Sequence, residues 1–416
     1  MKKLLKYLVS YKRESILAPL FKFLEACFEL IVPFVVSAII DNGITGGRGA
    51  VYVVEMCLIL VALGAVGLVS AVFAQYFAAK AAAGFAKYLR RDLFNKMQSL
   101  SYSEIDTLGT SRMITRMTSD VNQVQSGVNM VLRLFMRSPV IVFGAMICAF
   151  VIDTLAGGIF AIAIAVLCMV IFAILLITIP LYRRVQGNLD GITTYTRESL
   201  TGARVIRAFC NEDKEIAAYN RQNAALKRSQ TFAGWVSALM NPLTYAIINV
   251  AIIALLYTGA LKVDAGTLTT GEVVALYNYM SQILVELIKL ANLIITVTKS
   301  FACAGRLSEV LDMQSSLVHG PREKAEGKPF ISFEGVCMKY APDAGNALTD
   351  VTFTADRGET IGIIGGTGSG KTTLVNLIPH FYDACNGALY IDGVNVNGYS
   401  DEEIRQKCGI VPQKAV

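Results

Sequence analysis

Charge is scarce in this chain. Only 17% of its 416 residues are Asp, Glu, Lys or Arg, where a soluble domain carries about a quarter, and 54% are hydrophobic. That balance excludes an ordinary soluble enzyme, and it excludes disorder, which requires low hydrophobicity. Histidine is almost missing: His319 and His380 are the two present, so no histidine-rich metal site is available. The nine cysteines form no C-x-x-C and no close pair. They read as small buried hydrophobes in a reducing compartment rather than as a disulfide or metal framework. A cleavable leader is also disfavoured, because charges run through residues 1–20 with no short apolar core before a small-residue site.

Long uncharged runs are abundant instead. Asp153 and Arg183 enclose 29 uncharged residues, and Arg228 and Lys262 enclose 33. A helix of about 20 residues crosses the hydrocarbon core. Six spans are expected, at about 16–40, 53–79, 131–152, 155–182, 235–261 and 273–298. Loop charges orient them. Counted in chain order, Lys and Arg number 5, 9 and 9 in the amino-terminal segment and the loops after spans two and four, against 1, 0 and 1 in the alternate loops. The positive-inside rule then puts the amino terminus in the cytoplasm of a cell-membrane protein. Basic loops can also bind nucleic acid, but strict alternation is a topological signature, and no nucleic-acid partner is expected.

The two inner loops, residues 75–137 and 183–234, are too long for turns and are rich in helix formers. Read as antiparallel helical arms continuing the spans, each reaches about 40 Å beyond the membrane at 1.5 Å per residue. Their elbows fall near the midpoints, in Ser103–Thr110 and Arg207–Lys214, where turn-prone residues gather.

Composition shifts at residues 313–328, a linker rich in Gly, Pro and charge. Short strands are then expected in FISFEGVCMKY, LTDVTFTA and ETIGIIG. The last runs into Gly365, Gly366, Thr367, Gly368, Ser369, Gly370, Lys371 and Thr372, which fit G-x-x-x-x-G-K-[ST]. Glycines let successive backbone N–H groups close on an anion, and the following helix adds its positive end. Lys371 is placed to reach β- and γ-phosphates and the Thr372 hydroxyl to ligate Mg²⁺. ATP and Mg²⁺ are therefore the expected cofactors.

With these features in place, the sequence resembles exporter-type ATP-binding cassette (ABC) half-transporters of the bacterial multidrug type over its whole length. The segments LRRDLFNKMQSLSYSEIDTLGTSRMITRMTSDV and ESLTGARVIRAFCNEDKE look like the family's two intracellular loops, and ISFEGVCMKY through GGTGSGKTTL looks like the start of its cassette. The resemblance implies an α-helical membrane domain over 1–312 with long cytoplasmic extensions, a linker over 313–328, and the amino-terminal part of an α/β nucleotide-binding domain over 329–416. It further implies that Tyr340 stacks on adenine, that Thr373 contacts the α-phosphate, and that Gln413 of Val411-Pro412-Gln413 touches Mg²⁺ and relays nucleotide state. The elbows match the family's coupling helices, the second of which docks on the partner subunit's cassette.

Departures from the family are equally legible. The 416 residues contain no LSGGQ-type signature and no apolar strand ending in Asp-Glu; ALYIDG instead matches the family's early hairpin. His380 is expected on the phosphate-loop helix, so it does not match the switch histidine. The chain ends three residues after Gln413, and the expectation is a truncated cassette that does not turn over ATP alone. The implied activity is ATP-driven export of amphipathic drugs or lipids by a homodimer or heterodimer in the lipid bilayer. The alternative is a membrane-anchored nucleotide-binding or regulatory subunit without turnover.

Charges within the spans carry a lesser signal. Glu25 and Glu29 could line a route for a cationic drug, or pair with Lys22 or another helix. Glu286 and Lys289, one turn apart, are expected to neutralise each other.

Overall fold

The computed structural model describes residues 4–322, 324–341 and 343–411. Among them are six helices long and apolar enough to cross a membrane, within Leu4–Thr45, Gly49–Gln98, Thr110–Ile152, Thr154–Thr201, Glu212–Asp264 and Thr270–Asp312. Each contains one of the six expected spans. The chain divides into two compact units: Leu8–Gly84 with Gln125–Lys299, and Phe85–Val124 with Ser300 onward and the first residues of the chain.

The first unit is a helical bundle. Its helices here include α1 (Lys12–Ala38), α6 (Arg137–Ile152), α7 (Thr154–Thr201), α9 (Glu212–Ala238) and α10 (Met240–Asp264). The core lies where α6, α7 and α10 meet α11 (Thr270–Asp312), on Ala145, Phe160, Leu167, Leu255, Tyr279 and Met280. Small residues let the backbones approach: a Cβ on Gly157 would meet the Phe150 ring at 2.3 Å. Outward-facing Ile162, Met169, Leu176, Val250 and Ile253 are exposed, as a lipid-contacting surface requires. At the α6–α7 corner Asp153 caps α7, accepting from the Ala156 N–H at 2.9 Å, and also pairs with Lys262. Asp41 ties the end of the first span to the start of α11, accepting from the Gly271 N–H and the Thr269 hydroxyl, each at 2.7 Å.

Six charges within the spans form one network. Arg137 binds Glu25, Glu29 (2.8 Å) and Glu286 (3.3 Å); Lys22 reaches Glu25 at 2.6 Å, Lys289 reaches Glu286 at 2.8 Å, and the Ser138 hydroxyl donates to Glu286 at 2.9 Å. Three cations thus balance three carboxylates. The Glu286–Lys289 pair forms as expected, while the principal partner of Glu25 and Glu29 is Arg137, from α6. Burial makes Lys22, Glu25, Arg137 and Glu286 dependent on their partners, while Glu29 and Lys289 are partly exposed.

The second unit joins one end of each of three long helices to the cassette residues. Arg306 of α11 makes a two-pronged contact with Asp120, at 2.6 and 2.9 Å, and the Ser300 hydroxyl donates to the Gln123 carbonyl at 2.7 Å. The cassette part is an antiparallel sheet of four strands in the order β2-β1-β3-β4, with β1 Ile331–Met338, β2 Leu348–Ala355, β3 Asn386–Ile391 and β4 Val394–Asn395. Phe333, Val336, Met338, Leu389 and Ile391 form its core with Leu377, Tyr399 and Ile404. The ALYIDG hairpin turns at Asp392 and Gly393, both with positive φ (52° and 75°), as a tight two-residue hairpin demands.

One expected strand is not formed. Residues 359–364 lie in no ladder, and Ile364 is 95% exposed. A strand exists only by pairing, and β1, the middle of the sheet's first three strands, is already flanked on both edges by β2 and β3.

Candidate functional site

The phosphate-loop residues Gly365–Thr372 run directly into α12 (Lys371–Leu377). The backbone there needs glycine. Gly368 and Gly370 have φ of +84°, and a Cβ on Gly365 would meet the Ser369 hydroxyl oxygen at 2.7 Å. The Lys371 ammonium folds over this loop, donating to the Gly365 and Gly366 carbonyls at 2.9 and 2.6 Å and reaching the Ser369 hydroxyl at 3.3 Å. A cation is therefore held at the centre of a strip of exposed backbone, the donor set a polyphosphate fits.

The other expected nucleotide residues divide. Tyr340, half exposed beyond β1, lies with its hydroxyl 2.8 Å from that of buried Thr373 on α12. The expected adenine platform and the expected α-phosphate contact are thus brought together. Thr372 is exposed beside Lys371, open to ligate a metal ion. Gln413 lies outside the described residues. His380 is not on the phosphate-loop helix: α12 ends at Leu377, and His380 sits in the turn after it with a φ of +57°. Pro379, with no N–H to donate, stands two residues beyond the last helical residue, Leu377.

That turn carries contacts which no motif announces. The first elbow is a short helix, α3 (Tyr102–Leu108), opened by a Ser101–Glu104 capping box. The Tyr102 ring packs on Phe381 with centroids 4.5 Å apart, and the Tyr382 hydroxyl donates to Asp106 at 2.6 Å. Burial, and then the Asp106 carboxylate, push the Tyr382 phenol well above its ordinary value. Glu104 also accepts from the linker N–H of Ser316 at 3.2 Å. The sequence signal for this interface is slight: an aromatic pair a few residues past α12 with no apolar period around it.

The second elbow is α8 (Ala203–Ala208), with its break at Phe209–Asn211. It contains no buried residue, and Val205 and Phe209 are 60% and 72% exposed. Below it the arms α7 and α9 pack along each other, bridged by the Tyr195 hydroxyl and the Glu215 carboxylate.

Comparison with known proteins bears on both halves of the chain. Residues 15–287 match the family model described as ABC transporter transmembrane region, and residues 348–416 the one described as ABC transporter. An uncharacterized ABC transporter ATP-binding protein of Mycobacterium tuberculosis is 30% identical over 408 residues, covering 97% of this chain and 70% of that protein. The uncharacterized ABC transporter ATP-binding protein YfiB of Bacillus subtilis is also 30% identical, over 100% of this chain and 72% of its own length. The ATP-dependent lipid A-core flippase of Haemophilus ducreyi is 25% identical over 99% of this chain and 71% of that protein.

Proposed function

The chain belongs to the ABC transporter family and is a multi-pass membrane protein with an ATP-binding cassette region, and on that premise we propose that it is one half of a dimeric, ATP-driven exporter of amphipathic molecules. The membrane domain is 1–312, the linker 313–328 and the cassette region 329–416. The amino terminus and cassette face the cytoplasm, in keeping with the alternating loop charges.

The observation that carries this reading is the join between the phosphate loop and the first elbow. Lys371 opens α12, and a few residues past its end Phe381 and Tyr382 hold Tyr102 and Asp106. A shift of α12 on binding phosphates therefore reaches a helix continuous in sequence with the spanning segments. Lys371 exchanges its loop carbonyls for phosphate oxygens, the loop N–H groups hold the anion, and Tyr340 carries the base. Thr372 and Gln413 would hold Mg²⁺, which would supply charge neutralisation to the bound phosphates. The bare second elbow docks on the partner's cassette.

Amphipathic cargo is favoured by the relative from Haemophilus ducreyi, which is named as a lipid A-core flippase. Glu25 and Glu29 are both bound by Arg137, which favours a structural role over capture of a cationic drug.

The test is equilibrium binding of a fluorescent ATP analogue to the purified 1–416 chain. Binding without phosphate release is expected, weakened at least about tenfold by Lys371→Ala, since a charge-assisted contact is worth about 1.5–3 kcal/mol. Binding indifferent to Lys371→Ala would sink the site. Sustained phosphate release by 1–416 would sink the expectation that turnover needs a signature motif and an Asp-Glu strand end from outside these residues.

A further inference from the structure

The chain's two histidines are 61 positions apart in sequence and adjacent in the structure. Their rings meet edge to face with centroids 5.8 Å apart. Asp401, the first residue of α13 (Asp401–Lys407), joins them: one donor atom from each of His319, His380 and Asp401 lies within 4.8 Å of the other two. His319 comes from the linker, His380 from the turn after α12, and Asp401 from a helix beyond the hairpin. All three belong to the same compact unit.

The hydrogen bonding at His380 is specific. Its ring is buried, with 1% of the side chain exposed. Nε2 lies 2.7 Å from Asp383 Oδ1, and the other carboxylate oxygen of Asp383 accepts from the Val318 N–H at 2.8 Å. A carboxylate fixed by backbone on one side and by imidazole on the other holds the Nε2–H tautomer. Nδ1 then carries a bare lone pair, and it is buried with no hydrogen-bond partner among the described residues. Such an atom costs about 1–3 kcal/mol unless something satisfies it. Asp401 Oδ1 stands 3.8 Å from His319 Nε2, while its Oδ2 is 3.5 Å from Arg405.

We propose that His319, His380 and Asp401 form a binding site for a divalent metal ion of the Zn²⁺ class, with Asp383 as the carboxylate that orients His380. Two imidazoles and one carboxylate suit Zn²⁺ and its near relatives, whereas Mg²⁺ and Ca²⁺ take oxygen ligands. Tetrahedral ligands around Zn²⁺ stand about 3.3 Å apart. Closing from 4.8 Å asks for small movements of His319 and Asp401, whose side chains are half exposed, around a buried and fixed His380. A carboxylate–histidine–metal relay is the usual support for such a ligand. Occupancy ties the linker and α13 to the turn holding Phe381 and Tyr382, and so stiffens the surface on which the first elbow rests. The proposal stands apart from the phosphate loop, since none of its residues belongs to Gly365–Thr373.

The experiment is titration of the purified, metal-stripped 1–416 chain with Zn²⁺ in the absence of nucleotide, followed by Co²⁺ as a spectroscopic substitute. One equivalent of Zn²⁺ is expected, with Co²⁺ ligand-field bands and no thiolate charge-transfer band, which separates this site from the nine cysteines. His319→Ala, an exposed and tolerant position, should abolish the stoichiometric site. Asp383→Asn should weaken it by about 10–100-fold, the usual outer-shell loss. Lys371→Ala should leave it unchanged. Undiminished Zn²⁺ binding by His319→Ala, a thiolate band with Co²⁺, or dependence on Lys371 would each overturn the assignment. So would the absence of stoichiometric binding, which would mean that a water in the cavity of about 50 Å³ beside His380 satisfies Nδ1.

Discussion

The two elbows read alike in sequence, each a short polar break midway along a helical hairpin, yet they end in opposite conditions. α3 has a capping box, a buried Leu108, an aromatic contact to Phe381 and a carboxylate bound by Tyr382. α8 has no buried residue and presents Val205 and Phe209 to the outside. One elbow is saturated by its own chain. The other keeps Val205 and Phe209 exposed, and exposed apolar patches mark interaction sites. Two segments with one sequence logic therefore carry different obligations: the first connects within the subunit, and the second, in the function proposed above, connects between subunits.

The contrast breaks most sharply at the second elbow. Replacing Val205 and Phe209 with Asp should leave the subunit's stability within about 0.5 kcal/mol, because neither side chain is packed. Export and ATP turnover by the assembled transporter should nevertheless fall about thirtyfold or more, the loss that accompanies removal of one interface hot spot. Thermal unfolding of the subunit beside turnover in reconstituted vesicles separates the two. Unchanged turnover would show that α8 is not a docking element.

At the first elbow the expected loss is internal and smaller. Tyr102→Ala together with Tyr382→Phe removes an aromatic contact and a hydrogen bond, together worth about 1–3 kcal/mol of local stability. Hydrogen exchange at the α3 amides is the measurement, and it should accelerate there while the α8 amides stay as they were. Equal acceleration in both helices would mean that the elbows are not independently held.

Much of this architecture is legible in the amino-acid sequence alone. Long apolar runs mark all six spans, three of them clean and three interrupted by charge, because crossing a bilayer forces length and composition together. Midpoint arithmetic locates both elbows, since antiparallel arms must be of similar length. The glycines at 365, 368 and 370 announce the phosphate loop, because close approach at the first and positive φ at the other two demand them. What stays hidden depends on pairing at a distance. The strand expected over 359–364 has the right composition but no ladder partner among the described residues. Arg137, by sequence one more positive charge of an inner loop, proves to be the hub of the buried charge network. His319 and His380 carry no spacing motif, so their adjacency is a product of the fold alone.

The elbow caps sharpen the comparison on a finer scale. Ser101→Ala should cost α3 about 1 kcal/mol, the usual loss for an N-cap. The corresponding Asn211→Ala at the start of α9 should cost less than about half that, because no capping box like that of Ser101 and Glu104 supports it. Local opening free energies from hydrogen exchange would rank the two; a larger loss at Asn211 would reverse the distinction drawn between the elbows.

The smallest effect is a pH dependence confined to one elbow. Burial pushes the Glu104 carboxyl upward, but hydrogen bonds from Ser101 and Ser316 outweigh it and leave the group below its ordinary value. A carboxylate whose folded value lies below its unfolded value stabilises the folded state fully above the unfolded value, about 4.3, and that contribution fades as pH falls through the folded one. Protection of the α3 amides, corrected for intrinsic exchange, should therefore decline as pH drops below about 5. By contrast α8, with no acidic residue between Ala203 and Ala208, should show no such slope. Glu104→Gln should flatten the α3 profile, and because Asp106 is present in both proteins the difference isolates Glu104. A profile that Glu104→Gln leaves unchanged would remove the link between Glu104 and the anchored state of the first elbow.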